Sequence, residues 1–224
     1  MQNIIDLLKR KQLIWQGSQQ SSEQSFQPSY FPEWDQQLKG FPKTGVVEVQ
    51  SPTGIGELRL LTPMLQATTQ ERLVVLINPP AMPSAHYFQS QGIDSSKVLI
   101  LQHDEHALWA TEQSLKSGCC ACVCLWHSQL EVHQARRLQV AAEQGQALNI
   151  HFNLDEHNHA SLPIPLSVTL LPSENGLKIQ VNKRRGGWHP NQFQVDFQQY
   201  WPELCTQKPE HQVIPFPLRR QKQA

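Results

Sequence analysis

The hydrophobic positions of residues 46–152 follow two alternating patterns. Short apolar runs, which are typical of buried strands, are separated by segments whose apolar residues recur at helical spacing. The runs are Val46–Val49, Leu73–Ile77, Val98–Leu101, Ala121–Trp126 and Ala147–Phe152. Strands that alternate with helices predict βαβ units, and therefore an α/β fold with a mainly parallel sheet flanked by helices.

Glycines close three of the predicted helical segments. The segments end in Ser-Gln-Gly, Lys-Ser-Gly and Glu-Gln-Gly, which place Gly92, Gly118 and Gly145 just before the next strand. Glycine is the residue that most readily adopts the left-handed conformation that often ends a helix. We therefore predict a left-handed C-cap at each of the three.

The pattern changes at both ends of the chain. Two strand-like runs around Asn175-Gly176 predict an antiparallel hairpin at one edge of the sheet. Residues 1–15 have the spacing of an amphipathic helix, and residues 16–29 are rich in Gln and Ser, which predicts a linker. We assign residues 30–197 to the core domain and residues 198–224, with four prolines after Tyr200, to a flexible tail.

Composition and charge narrow the function only slightly. Lys+Arg and Asp+Glu number 19 each, so no overall field attracts nucleic acid or a membrane. The chain has no apolar run long enough to span a membrane and no signal-peptide pattern, so we expect a cytoplasmic protein. Four of the five cysteines lie within Cys119–Cys124. We expect free, mostly buried thiols there and no metal site.

The stretch VVEVQSPTGIGELRL, residues 46–60, has the layout of a phosphate-binding loop: a strand, a glycine-containing turn and the start of a helix. Ser51 stands at the first glycine position, while Gly54 and Gly56 keep the turn permissive. The Lys and Ser/Thr positions of a working loop hold Glu57 and Leu58. Like charges about 4 Å apart repel by roughly 4 kcal/mol at a partly buried site. The sequence therefore predicts a degenerate loop that excludes a triphosphate.

Two further requirements of an ATPase are missing. The strand that should end in a magnesium-binding Asp ends in Trp126 and His127, and Pro80 follows the strand after which a catalytic Glu is expected. Proline can neither accept a proton nor orient a water molecule. We therefore expect no enzymatic activity and no cofactor.

The chain resembles the ImuA/SulA family of RecA-like proteins without a nucleotide site, over roughly residues 13–197. The resemblance depends on GIGELRLL, ALWATEQSLKSG, RRLQVAAEQGQAL and KRRGGW, in that order, and KRRGGW is typical of the ImuA branch. It implies a RecA-like core and an accessory role in damage-induced translesion DNA synthesis. The implied partners are RecA, the inactive Y-family polymerase ImuB and an error-prone DNA polymerase. The alternative is a SulA-like inhibitor of cell division that binds FtsZ.

Basic residues near the C-terminus are the candidate contact residues. Lys183 and Arg185 resemble the lysines with which RecA reaches a neighbouring protomer. Together with Arg184 and Trp188, they are also suited to single-stranded DNA, because cations bind phosphates and Trp stacks on bases. A solvated hairpin end is the third interpretation. Arg219 and Arg220 follow Pro-Phe-Pro, which is suited either to docking on a partner or to a tail without a role.

Overall fold

A computed structural model describes residues 25–155, 162–186 and 191–205. Two short strands, β1 (Phe26–Gln27) and β2 (Phe41–Pro42), pair with each other. The central sheet has eight strands, which are β3 (Gly45–Gln50), β4 (Leu73–Ile77), β5 (Val98–Leu101), β6 (Cys120–His127), β7 (Leu148–Asn153), β8 (Leu166–Ser173), β9 (Gly176–Arg184) and β10 (Gln192–Asp196).

The strand order of the central sheet is β10-β9-β8-β3-β7-β6-β4-β5. All pairings from β8 to β5 are parallel, whereas β9 runs antiparallel to β8, and β10 runs antiparallel to β9. The carboxyl ends of six parallel strands therefore meet at one edge of the sheet. Binding sites of open α/β sheets lie outside this edge.

Helices cover both faces of the sheet. They are α1 (Pro32–Leu38), α2 (Glu57–Thr68), α3 (Ala85–Ser90), α4 (Ala107–Lys116) and α5 (Val132–Gln144), and single 3-10 turns span Ser95–Lys97 and Pro202–Leu204. Alternate residues of β3 enter different cores: Val47 and Val49 pack with residues of α1 and α2, whereas Val46 packs with residues of α4 and α5. This alternation follows from the two-residue period of a strand.

The predicted α/β architecture is confirmed for the described residues. Each of the five predicted strands forms within one or two residues of its expected ends, and the hairpin predicted at Asn175-Gly176 joins β8 to β9. Strand β10 and helix α1 were not predicted from the sequence. Residues of β10 alternate as Gln192, Phe193, Gln194 and Val195, with Gln194 exposed and Val195 buried, which is the pattern of an edge strand with one face in water.

The ordered core extends beyond both boundaries that we predicted. The linker was expected to reach residue 29, but Phe26–Gln27 forms a strand, and the backbone N–H of Ser29 donates to Asp35 Oδ1 at 2.8 Å. The tail was expected to begin at residue 198, but Trp201 is buried and its Nε1 donates to Gln91 Oε1 at 3.0 Å. Aromatic residues at the start of the tail supply the apolar contact that orders it. The predicted helix of residues 1–15 and residues 206–224 lie outside the described part.

Gly145 corrects one of the three predicted caps. Gly92 and Gly118 have left-handed φ values of 70° and 73°, as expected, but Gly145 has a φ of −91°. The left-handed residue after α5 is Gln146, whose φ is 51°. Gly145 is required for space, because a Cβ atom there would lie 1.8 Å from the carbonyl oxygen of Leu115.

Candidate functional site

A glycine-containing loop, residues 51–56, joins β3 to α2 at the carboxyl edge of the sheet. Gly54 and Gly56 have φ values of 85° and 101°, which residues with a Cβ rarely adopt. These two glycines let the chain reverse tightly between strand and helix. Their backbone N–H groups consequently lie beside the first residue of α2, Glu57.

The carboxylate of Glu57 occupies this loop. Its Oε1 accepts a hydrogen bond from the N–H of Gly54 at 3.1 Å, and its Oε2 accepts from Gly54 at 3.2 Å and from Gly56 at 3.1 Å. The side chain is buried although it carries no salt bridge in the described part of the chain. Backbone N–H groups and the start of a helix favour an anion, and here the chain supplies that anion itself.

The other residues of the degenerate loop provide no ligand for a magnesium nucleotide. Ser51 Oγ donates to the carbonyl oxygen of Pro52 at 2.8 Å, and Leu58 packs partly buried against the apolar core. The sequence predicted repulsion of a phosphate by Glu57. The geometry adds a second effect, since the amides that would bind a phosphate already have an acceptor.

Trp126 and Pro80 line a cleft beside the loop. The cleft has a volume of about 290 Å³ and lies between the first turn of α2 and the segment that follows β4. The Trp126 ring is buried and stacks on Phe152, with ring centroids 4.6 Å apart. The sequence indicated only the groups that are missing at these two positions, whereas in the structure Trp126 and Pro80 form an apolar surface.

The three basic residues at the end of β9 have different environments. Lys183 Nζ donates to the carbonyl oxygen of Leu162. Arg184 reaches the last turn of α1, where its guanidinium donates to the carbonyl oxygens of Gln37 and Leu38 at 2.9 and 3.3 Å. Lys183 and Arg184 thus fasten neighbouring segments, a use that the sequence did not predict.

Arg185 is exposed, and its backbone N–H donates to Pro165. Of the predicted contact residues that the structure describes, Arg185 is the one whose side chain the solvent reaches most freely. Trp188, Arg219 and Arg220 lie outside the described residues. The binding role of all these residues stays a prediction.

We expect Arg184→Gln to lower the free energy of unfolding by about 1–2 kcal/mol, because carbonyl oxygens at the end of α1 lose a charged donor. Arg185→Gln, the matched control, should change the free energy of unfolding by less than about 0.5 kcal/mol. Urea denaturation followed by circular dichroism measures both values. Equal effects of the two substitutions would contradict the fastening role of Arg184.

Polar residues on neighbouring strands form a buried row on one face of the sheet. Glu48 is buried on β3, and its carboxylate accepts hydrogen bonds from Ser167 Oγ at 2.7 Å and Asn153 Nδ2 at 3.3 Å. On the other side, the Cα position paired with Glu48 on β7 is His151. The signal in the sequence is the polar alternation of Glu48 with Gln50 and of His151 with Asn153.

His151 is fully buried at the centre of this face. Its Nε2 lies 3.2 Å from the carbonyl oxygen of Ser128, and its Nδ1 has no hydrogen-bond partner among the described residues. Burial lowers the pKa of His151 from 6.5 to about 4, and the hydrogen bond to Ser128 opposes that shift only in part. His151 is therefore neutral at pH 7.

Cysteine side chains occupy the interior of β6. Cys120, Cys122 and Cys124 are buried, and the sulfur atoms of Cys122 and Cys124 lie 3.9 Å apart on one face of the strand. Within residues 25–155, 162–186 and 191–205, no group of three metal-ligating side chains could hold an ion. In the same ranges, no helix is long and apolar enough to cross a membrane.

Fold and loop together define an α/β protein in which a glycine-containing turn at the carboxyl edge of a parallel sheet is closed by its own carboxylate. The family model described as "Cell division inhibitor SulA" matches residues 42–149, a little under half of the chain. This segment contains the loop, Glu57 and the strands from β3 to the start of β7. The match supports the SulA-like alternative of the family resemblance seen in the sequence.

Among solved structures, the chain is similar to SulA from Pseudomonas aeruginosa at 27% sequence identity. The similarity covers 49% of this chain and 98% of that one, with a TM-score of 0.42. No curated protein matches the chain.

Proposed function

We propose that the protein is a non-catalytic inhibitor of cell division, which binds the FtsZ subunit and so blocks growth of the FtsZ polymer. The match of residues 42–149 to the SulA family model is the observation that carries this proposal. The matched segment includes the loop and the residues that line the cleft. Under this proposal the protein acts by binding a protein partner and does not catalyse a reaction.

The hydrogen bonds between Glu57 and the loop amides support a non-catalytic role. A nucleotide would have to displace a carboxylate that is tethered to the same loop and accepts three hydrogen bonds from its amides. In addition, the cleft beside the loop offers Trp126 and Pro80 where an ATPase needs acidic groups. Because the loop still joins a strand to a helix, we also propose that the core is a RecA-like domain that has lost its nucleotide-binding site.

A second candidate is an accessory role in translesion DNA synthesis, with RecA, ImuB and an error-prone polymerase as partners. The observation that favours it is the part of the chain beyond residue 149, where β8, β9 and β10 add three strands to the sheet. This part lies outside the segment that the SulA model matches. It also carries the basic run whose sequence resembles the ImuA branch, with Arg185 exposed at its end.

FtsZ assembly and RecA binding separate the two candidates. We expect the purified protein to suppress FtsZ polymerisation, measured by sedimentation, at about one molecule per subunit. Arg185→Glu should inhibit equally well, because Arg185 lies outside the matched segment. Under the second candidate the protein instead co-sediments with RecA filaments, and Arg185→Glu releases it. FtsZ assembly that continues unchanged in excess protein would overturn the first proposal.

Calorimetry with magnesium and ATP tests the closed loop independently of the partner. We expect no binding heat for the wild-type protein. Tight, magnesium-dependent uptake of ATP would overturn the non-catalytic interpretation under either candidate.

A further inference from the structure

The cleft beside the Glu57 loop is open to solvent and has a volume of about 290 Å³ at the carboxyl edge of the sheet. One wall is the start of α2, and the opposite wall is the segment Pro79–Ser84. Open α/β sheets bind their ligands at this edge. With Glu57 on the loop amides, however, the cleft has lost the means to bind a phosphate.

Apolar side chains form the floor and one wall of the cleft. Trp126 is 4% exposed and is backed by the stacked ring of Phe152. Met82, by contrast, is 67% exposed at the rim. A flexible, polarisable Met at the rim of an apolar cleft adapts to the shape of an incoming side chain.

The proline-rich wall is held in place before anything binds. Pro79, Pro80 and Pro83 restrict the backbone of this segment. Asn78 anchors its start: its Oδ1 accepts from the N–H of His103 at 2.7 Å. A wall that is already ordered loses little conformational entropy on binding.

Arg59 is the basic residue that lines the cleft, which Glu57 also lines. It lies in the first turn of α2, its Nε is buried without a hydrogen-bond partner, and it makes no salt bridge within the described ranges. The nearby carboxylate of Glu57 is already bound by backbone amides. Tyr87 also lines the cleft, and its hydroxyl group is hydrogen-bonded to Thr62 Oγ1 at 2.8 Å. The Arg59 side chain lines the cleft, and a planar guanidinium is suited to an incoming carboxylate.

We propose that this cleft binds an extended segment of a partner protein in which a large apolar side chain is followed directly by an acidic residue. The apolar side chain enters between Met82 and Trp126, and the carboxylate pairs with Arg59. The inference rests on the proposed function only in taking the occupant to be a protein. It names the chemistry of the segment that the partner must present.

Blocked tetrapeptides test the recognition directly on the full chain. The probes are acetyl-Gly-Phe-Asp-Gly-amide, its Asn analogue, and an Ala-Asp analogue without the aromatic ring. Titration of ¹⁵N-labelled protein should shift the Trp126 indole N–H and the Met82 amide resonances. We expect the Asn peptide to bind about tenfold more weakly than the Asp peptide, because it lacks the charge-assisted hydrogen bond, and the Ala-Asp peptide to bind more weakly still.

Two variants and a control assign the effect to the cleft. Arg59→Gln should remove the difference between the Asp and Asn peptides but keep the preference for Phe over Ala. Met82→Asp should weaken binding of both Phe peptides. Val140→Asp, a similar change at an exposed apolar residue of α5, should leave every affinity unchanged. Equal binding of the Asp and Asn peptides to the wild type, or shifts confined to residues outside the cleft, would overturn the proposal.

The partner assay separates failure of the cleft from failure of the proposed function. If Met82→Asp and Arg59→Gln still suppress FtsZ assembly or bind RecA as the wild type does, the cleft inference is overturned and the proposed function stands. If the peptides show the expected preferences but neither FtsZ nor RecA binds the protein, the proposed partners are wrong and the cleft stands.

Discussion

We expect a fall in pH from 7 to 4.5 to lower the free energy of unfolding by about 2 kcal/mol through His151 alone. The pKa of this imidazole is about 4 in the folded protein and 6.5 when unfolded. Above pH 6.5 both states are neutral and nothing is lost; between pH 6.5 and 4 the unfolded chain binds more protons, so stability falls as the pH falls. Below pH 4 the loss levels off near 3 kcal/mol.

The variant His151→Leu isolates this effect. It should be less stable than the wild type at pH 7 by about 1 kcal/mol, since the hydrogen bond with Ser128 is lost, but its free energy of unfolding should depend less on pH. His133→Asn is the control, because the His133 side chain is 65% exposed. Urea unfolding at pH 7, 5.5 and 4.5 measures the difference. If the free energy of unfolding changed with pH by the same amount in the wild type and in His151→Leu, His151 would not titrate as described.

Gly145→Ala is expected to destabilise the protein by about 3 kcal/mol or more. The added methyl group would lie 1.8 Å from the carbonyl oxygen of Leu115, and neither α4 nor the end of α5 can yield without disturbing the core between them. Because the φ of Gly145 is −91°, the cost is steric and not conformational. Thermal unfolding followed by circular dichroism gives the change in midpoint.

Gly118→Ala is the matched control for this prediction. A Cβ atom at Gly118 would meet no atom of the described part of the chain within 4 Å, but the φ of 73° is unfavourable for alanine. The expected cost is therefore only about 1–2 kcal/mol. A Gly145→Ala protein that unfolds no more readily than Gly118→Ala would contradict the contact with Leu115.

The strands were predictable because the parallel sheet is covered on both faces. Buried parallel strands such as β4, with the sequence LVVLI, appear as continuous apolar runs bounded by polar segments. By contrast, β10 has one face in water, and its short alternating pattern is hard to distinguish from a loop. The start of the core at Phe26 could not be predicted either, since its pairing partner is Phe41–Pro42, fourteen or more residues further along the chain.

The sequence identified Glu57 as the residue that distinguishes this loop, but only from its charge. Which groups accept that charge depends on the left-handed conformations of Gly54 and Gly56, and a motif contains no such geometry. The cleft was missed for a related reason. Arg59 and Met82 belong to different βα units, and only the folded sheet brings them to the same edge.

The basic run near the C-terminus shows the limit of reading charge alone. Lys183, Arg184 and Arg185 are adjacent in sequence, yet the alternation of β9 sends successive side chains to opposite faces of the sheet. Arg184 therefore meets the end of α1, whereas Lys183 meets Leu162. Their use in fastening the fold depends on residues that lie far away in the chain.

A loop that holds a permanent, covalently attached anion has no loaded and unloaded forms. ATPases and GTPases time their contacts by exchanging and hydrolysing a nucleotide, whereas the amides of this loop bind the carboxylate of Glu57. Any change in the contacts of this loop must therefore come from something other than nucleotide exchange.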